Sequence, residues 1–304
     1  MFLEEDVYQK MLKYSDDFER DGFCIIRGAI NLKTINNANL VVDEFLIRHK
    51  PMLEKKGLLN NGLLQRVVNF HHSLIPLKDV FIEAIESSSE VTDIFGPATL
   101  YTSLFFELGS QQSLHRDTPY FFSGNNRGGY MGVWAALDDV DESNGPLIAV
   151  KGSHKLSEPD LMSLKSKFHP SEPVPPSSPE LFNAYNEELI SMAKKAGLET
   201  VVCNVSKGDV IVWNPATLHG GTTHINKEKT RRSFVMHVTP QNMPMKHMDH
   251  FFDRTKFIEP VDKVYENYCG RLIEDGDKVD FMHKETMSVN YLGRFENKGS
   301  DTSF

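Results

Sequence analysis

The chain has 304 residues, 40% of them hydrophobic and 25% charged, with a formal net charge of -9; these proportions are ordinary for a globular protein, and the length suits one β-barrel or sandwich domain. The acidic balance argues against a nucleic-acid partner, and Cys24, Cys203 and Cys269, far apart and odd in number, argue for a reducing compartment without disulfides or a cysteine metal cluster. With no apolar run near the roughly 20 residues of a membrane span and no signal-peptide pattern in Met1-Phe2-Leu3-Glu4-Glu5-Asp6, the expectation is a cytoplasmic monomer or homodimer that acts on a small molecule and meets neither nucleic acid nor membrane.

Residues 1 to about 20 read as a helix, with Val7, Met11 and Leu12 at helical intervals. Further helices are expected over about Leu32 to His49 and Leu77 to Ser87, packed on an outer sheet face. Leu104-Phe105-Phe106-Glu107 reads as a buried strand, and Gly109-Ser110-Gln111-Gln112 turns the chain into Leu114-His115-Arg116-Asp117. Gly132 to Asp139 is a second apolar strand with an acidic end. Asn144-Gly145-Pro146-Leu147 turns into a short strand closed by Lys151-Gly152-Ser153-His154.

An insert spans about 156–200. Pro170, Pro173, Pro175, Pro176 and Pro179 predict a loop, because proline lacks the amide proton a helix needs. Pro179 to about Ala196 then predicts a helix with Leu181, Tyr185, Leu189 and Met192 on one face, serving as a lid or an interface, the lid being preferred. Strands return from Thr200 to Val238. Gly208 to Trp213 is one, leading to Leu218-His219-Gly220-Gly221, where the glycines are expected to let the backbone turn tightly. Arg231 to Val238 is a strand opened by two cations. The tail from about Met243 is polar and mixed, an extension whose residues Asn297 to Phe304 are expected to fray.

The chemistry lies in His115, Asp117 and His219. Two imidazoles and one carboxylate on one face of a metal, with open positions opposite, suit a non-heme Fe(II) oxygenase. Residues i and i+2 of a strand point to the same side, so His115 and Asp117 can grip one ion while Arg116 faces away. His219 would arrive from the end of another strand. A His-x-Asp triplet alone is a common surface feature; its neighbours give it weight. A guanidinium binds a carboxylate through two parallel hydrogen bonds. Ser233 would point the same way as Arg231, and the two could hold the distal carboxylate of 2-oxoglutarate; a bulge would hand that role to Arg232.

In order and spacing, Leu114-His115-Arg116-Asp117, Trp134-Ala135-Ala136-Leu137-Asp138-Asp139, Asn144-Gly145-Pro146-Leu147, Gly152-Ser153-His154, Leu218-His219-Gly220 and Arg231-Arg232 resemble the phytanoyl-CoA dioxygenase family of Fe(II)/2-oxoglutarate-dependent oxygenases. The likeness runs from Asp21-Gly22-Phe23-Cys24-Ile25-Ile26-Arg27-Gly28, similar to the family's opening strand, to about Pro240. It implies a mainly β fold with flanking helices, built on a double-stranded β-helix (jelly-roll, cupin-like) core. It also implies Fe(II) on His115, Asp117 and His219, with 2-oxoglutarate and O2 as co-substrates. Arg231 would bind 2-oxoglutarate, and Trp134 would line its pocket or serve as a core aromatic. The implied reaction is oxidation of a substrate C–H bond, usually hydroxylation, with desaturation or ring closure as competitors.

Three features depart from the family pattern. Arg116 stands where many members carry Gln, the interval from His219 to Arg231 is slightly long, and so is the insert. Asp117 disfavours halogenation, which replaces the carboxylate by a small residue. Two other readings stay open: a zinc or manganese hydrolase or isomerase on a cupin-like barrel, or a binding protein without turnover. His71-His72 either line the pocket or, as preferred, sit at a strand end with one exposed. His224, His237, His247 and His250 follow His219; His237 would face the side of Arg231, a second metal site there is disfavoured, and His154 is expected to be structural. Arg66, Arg116, Arg127 and Lys246 could meet an anionic substrate or be solvated charges.

Overall fold

Alternation along a few short strands sets the layers of this fold. The structure, a computed structural model, describes residues 14–124 and 129–296. The strands in chain order are β1 (Phe23–Ile26), β2 (Leu59–Asn60), β3 (Leu63–Leu64), β4 (Val67–Val68), β5 (Thr99–Phe106), β6 (Met131–Ala136), β7 (Leu147–Val150), β8 (Thr200–Cys203), β9 (Val210–Trp213), β10 (His219–Gly221), β11 (Ser233–Thr239), β12 (Tyr265–Tyr268), β13 (Arg271–Glu274), β14 (Lys278–Phe281) and β15 (Glu285–Ser288). The major sheet runs β1-β9-β6-β11-β5-β4-β14-β15, with β13 and β12 attached beside β5; a minor sheet runs β10-β7-β8, and β2 pairs with β3. Strands adjacent in sequence are interleaved with others in space, as the expected jelly-roll core requires.

The central strands are buried on both faces. Val133, Ala135, Val212, Phe234 and Met236 turn to one side and pack with Val41, Phe45, Val80 and Phe81 of two long helices. Trp134, Ala136, Ile211, Trp213 and Val235 turn to the other and meet Leu147, Ala149 and Cys203 of the minor sheet. Period-two alternation thus divides one set of strands between two cores. The functional site lies on the second face, between the sheets.

Both long helices outrun their expected ends. Leu32–Lys55 is capped by Asn31, whose side-chain oxygen accepts from the Lys33 amide at 2.8 Å, and it continues through Pro51; burying Leu53 completely in the core holds the last turn. Pro76–Thr92 passes through Ser87-Ser88-Ser89 because buried Ser88 donates its hydroxyl to Ala84 O at 2.6 Å, and Val91 beyond it is buried. Residues 14–21 are helical. The expected helical positions Val7, Met11 and Leu12, the residue Arg127 and the segment 297–304 lie outside the described residues.

In the insert, a helix at Leu161–Phe168 precedes the prolines and was not expected; Asp160 caps it through Ser163 N, and Leu164 is buried. The expected helix follows at Pro179–Lys195. Leu164, Leu181, Tyr185 and Leu189 form a third apolar cluster with Leu218, Phe251 and Phe252. The tail is more than a polar extension. Its strands β12 to β15 join the major sheet, and Ile273, Val279 and Phe281 enter the main core. Val279 and Phe281 alternate with Lys278 and Asp280, and so short an alternation among charges is a weak sequence signal. No helix among the described residues is long and apolar enough to cross a membrane.

Candidate metal and co-substrate centre

His115 and His219 are 104 positions apart in sequence and meet through a reciprocal pair of backbone hydrogen bonds. His115 N donates to His219 O at 2.9 Å and His219 N to His115 O at 3.0 Å. The segment carrying His115 and Asp117 is not a full strand: it has this single β-bridge, and Asp117, in a bend, donates its amide to Pro215 O at 3.0 Å; His219 begins β10 rather than ending a strand. Gly220 and Gly221 keep ordinary backbone angles, so they do not serve the tight turn expected of them. They permit close approach instead: a Cβ on Gly220 would lie 2.7 Å from Gln112 O, and one on Gly221 2.7 Å from Ser110 Oγ.

Among the described residues, His115, Asp117 and His219 are the one group of His, Cys, Asp and Glu able to hold a metal, with ligand atoms within 4.8 Å of one another. Each imidazole is oriented by its own backbone: Nδ1 of His115 donates to Ser113 O at 2.8 Å, and Nδ1 of His219 to Thr217 O at 3.0 Å. That leaves both Nε2 lone pairs facing Asp117, at 3.6 and 3.7 Å from its carboxylate. Oδ2 of Asp117 accepts from Tyr130 OH and Trp213 Nε1, each at 2.9 Å. Oδ1 is left to a metal.

Burial and the neighbouring His219 push the His115 pKa down to about 4, so the ring stays neutral. Burial alone would raise the Asp117 carboxyl; His219, His115, His237 and the Trp213 donor outweigh it, and the net shift is downward. Trp213 and Tyr130 were not anticipated. The available signal was Gly132 in an apolar strand: it pairs with Trp213 across β6 and β9, and a Cβ there would collide with the indole.

Arg116 faces away from this cluster, as expected. It is buried, donates to Ser153 O and Leu156 O, and lies 3.7 Å from Glu158; its amide donates to Asn186 of the insert. Here the residue between the two ligands anchors the insert. Phe182 of the same insert sits 6.1 Å from the His115 ring and 4.8 Å from Tyr120, ring centre to ring centre.

The two adjacent arginines part company. Arg232 donates to Glu107 at 2.7 Å and Asp43 at 2.6 Å, on the helix side of the sheet. Arg231 is buried, with its guanidinium 5.0 Å above the Trp134 ring, and donates to Ser233 Oγ at 3.2 Å. It has no carboxylate partner among the described residues, and its Nε has no hydrogen bond. Burial without compensation pushes its pKa down to about 10. Trp134 is both a core aromatic and a wall beneath Arg231.

A cavity of about 600 Å³ connects these groups. His115, Asp117, His219, Arg231, Trp134 and His237 all line it, and Nδ1 of His237 is buried without a partner. Burial holds the His237 pKa down at about 4. His71 and His72 are both buried on the other side of the sheet, with His71 bonded to Ser103 Oγ at 2.7 Å, so neither is the exposed strand-end residue expected. His224 is bonded within its own loop and to Gly109 N, and His250 pairs with Asp249. His154 Nε2 lies 3.1 Å from Glu19 O.

Uncompensated Arg231, opening into the same cavity as the Asp117 carboxylate and two aimed imidazoles, completes a set of groups that fits a divalent metal chelated by a 2-oxo acid. Comparisons agree. The chain is similar in fold to the non-heme alpha-ketoglutarate-dependent epimerase SnoN from nogalamycin biosynthesis (14% identity, TM-score 0.55, 88% of this chain and 98% of that one). It is likewise similar to the carbocyclase SnoK of the same biosynthesis (15%, 0.54, 83% and 93%) and to EctD from S. alaskensis with 2-oxoglutarate and 5-hydroxyectoine (15%, 0.52, 77% and 77%). No curated protein matches it in sequence. The sequence profile of phytanoyl-CoA dioxygenase matches residues 18–233. With the jelly roll, the triad and that match in place, the chain belongs to the phytanoyl-CoA dioxygenase family of Fe(II)- and 2-oxoglutarate-dependent oxygenases.

Proposed function

We propose that this protein hydroxylates an unactivated C–H bond of a small polar or natural-product substrate, converting 2-oxoglutarate and O2 to succinate and CO2. One observation carries the reading: the uncompensated Arg231 cation and the His115, Asp117 and His219 ligand atoms open into one cavity. The two histidines and Oδ1 of Asp117 would hold Fe(II), and Arg231 with Ser233 would hold the distal carboxylate of 2-oxoglutarate. Bound iron supplies the activation of O2, at the expense of 2-oxoglutarate, that a C–H bond demands.

The chain's own contribution is placement and exclusion of water. Ser113 O and Thr217 O fix the imidazole tautomers, while Tyr130 and Trp213 occupy Oδ2 and keep Asp117 aimed. Trp134 supplies a flat wall under Arg231. The insert 156–200, with Phe182 against His115, serves as the lid. The presence of Asp117 supports hydroxylation over halogenation. Three free cysteines support a cytoplasmic setting.

The alternative, a zinc or manganese hydrolase on the same barrel, has no use for a buried Arg231 awaiting a carboxylate. Anaerobic titration with Fe(II) and 2-oxoglutarate separates the two. The weak visible charge-transfer band of the chelate should form in the parent protein and be lost in the His115→Ala, Asp117→Ala and Arg231→Ala variants. Bound iron without a band in the parent protein would overturn the proposal.

A further inference from the structure

Arg66 is a cation of the cavity that the proposed turnover leaves unused. It directly precedes β4, which pairs with β5 as Val67↔Phe105 and Val68↔Leu104. Alternation puts Arg66 and Val68 on the face of Leu104 and Phe106, and all four line the cavity. Of the other described candidates neither does: Arg116 is buried behind the metal ligands, and Lys246 is not among the lining residues. Arg66 is half-buried and, among the described residues, its guanidinium makes no hydrogen bond or salt bridge. The acid that acts on it, Asp280, is already engaged by the His283 amide at 2.6 Å and by His283 Nδ1 at 3.0 Å.

Charge balance gives Arg66 a purpose. Asp117 is the one carboxylate among the described cavity residues, which also include two arginines and five histidines. A divalent metal with Asp117 and Arg231 carries two net positive charges, and 2-oxoglutarate brings two negative ones. Among the cavity-lining groups one positive charge, on half-buried Arg66, is then left over, and a partly desolvated ion gains from a hydrogen-bonded partner of opposite charge. A carboxylate matches that single charge and the planar fork of the guanidinium. A phosphate ester, closer to two negative charges at neutral pH, would overshoot it.

We propose that the substrate carries a carboxylate and that Arg66 binds it; the inference rests on the oxygenase reading above. Its setting is built by the C-terminal segment. β14 pairs with β4, Met282 N donates to Arg66 O at 3.2 Å, and His283 lines the same end of the cavity as a neighbour of Arg66. Those residues lie beyond the 18–233 span of the family match. The shared jelly roll supplies the oxidising centre, and the segment after it holds the recognition group in place.

The test uses the full chain loaded anaerobically with Fe(II) and 2-oxoglutarate. Three acid–amide pairs are titrated against the chelate band: octanoate and octanamide, benzoate and benzamide, N-acetylleucine and N-acetylleucinamide. At least one acid should bind tenfold or more tightly than its amide. Arg66→Gln should remove that preference and leave 2-oxoglutarate binding unchanged, while Arg66→Lys keeps part of it. The proposal is overturned if no acid is preferred, if the preference survives Arg66→Gln, or if Arg66→Gln weakens 2-oxoglutarate itself. Absence of the band before any probe is added would count against the oxygenase reading, a separate failure.

Discussion

Arg231→Met and Arg232→Met, one residue apart, are expected to have opposite consequences. Arg231 is buried without a counter-charge, and the fall of its pKa from the ordinary guanidinium value to about 10 corresponds to about 3 kcal/mol of unfavourable burial. Methionine keeps an apolar contact with Trp134 and removes the charge. The unliganded Arg231→Met protein should therefore be as stable as the parent, or more stable by up to about 3 kcal/mol. Its 2-oxoglutarate affinity should collapse. Removing one member of a buried charge pair costs about 2–5 kcal/mol, or about 30- to 4,000-fold in affinity.

Arg232→Met strands Glu107, whose side chain is 0% exposed and sits 2.7 Å from the guanidinium. Leu64 N still donates to that carboxylate, at 2.8 Å, but a buried charge without its partner costs about 3–5 kcal/mol. Asp43, 53% exposed, adds little to the loss because water can replace its partner. Affinity for 2-oxoglutarate should change little. Urea unfolding of the unliganded proteins and anaerobic titration of the chelate band measure the two effects separately. Destabilisation by Arg231→Met with loss of 2-oxoglutarate binding in Arg232→Met would refute the reasoning.

Three further outcomes are expected. Trp213→Phe removes one of the two donors to Asp117 Oδ2 and should weaken metal binding about 10- to 100-fold; Gly132→Ala should act in the same direction by displacing the indole, and unchanged Co(II) affinity in both would sink this role. His71 and His72 are held neutral by burial, with Lys78 adding to the effect; His71 is well below its ordinary 6.5 and His72 is at about 4. The unfolded chain then binds more protons than the folded one below pH 6.5, so stability falls as pH drops towards about 4, by about 1.4 kcal/mol per pH unit for each group; urea midpoints that are flat between pH 7 and 5 in the metal-free protein would contradict this. Leu189→Ala empties part of the apolar cluster under the insert and should cost about 2–5 kcal/mol. Limited proteolysis should then cut first within 156–200; cleavage beginning in the sheet strands instead would refute a separately anchored insert.

Legibility in the sequence followed how local each signal was. His115, Asp117 and His219 stood out because their side-chain types are few and their neighbours are glycine-punctuated strands. The helix ends were misplaced because the residues that extend them, Leu53 and Val91, act by burial against distant strands. The C-terminal strands were missed because Val279 and Phe281 are too few to show a period, although β4 supplies their partner across more than 200 positions. Arg231 and Arg232 could not be told apart along the chain, since a slip of one residue exchanges the two faces.

The sequence by itself determined the donor set, the guanidinium pair and the class of chemistry, because these depend on which functional groups are present and in what order. Tertiary structure decided which arginine is uncompensated, by placing Glu107 and Asp43 on one sheet face and the cavity on the other. It also decided that Trp213 and Tyr130 aim Asp117, and that Arg66, unlike Arg116 and Lys246, lines the cavity. These outcomes depend on burial and counter-charge, which exist only once strands far apart in the chain are paired.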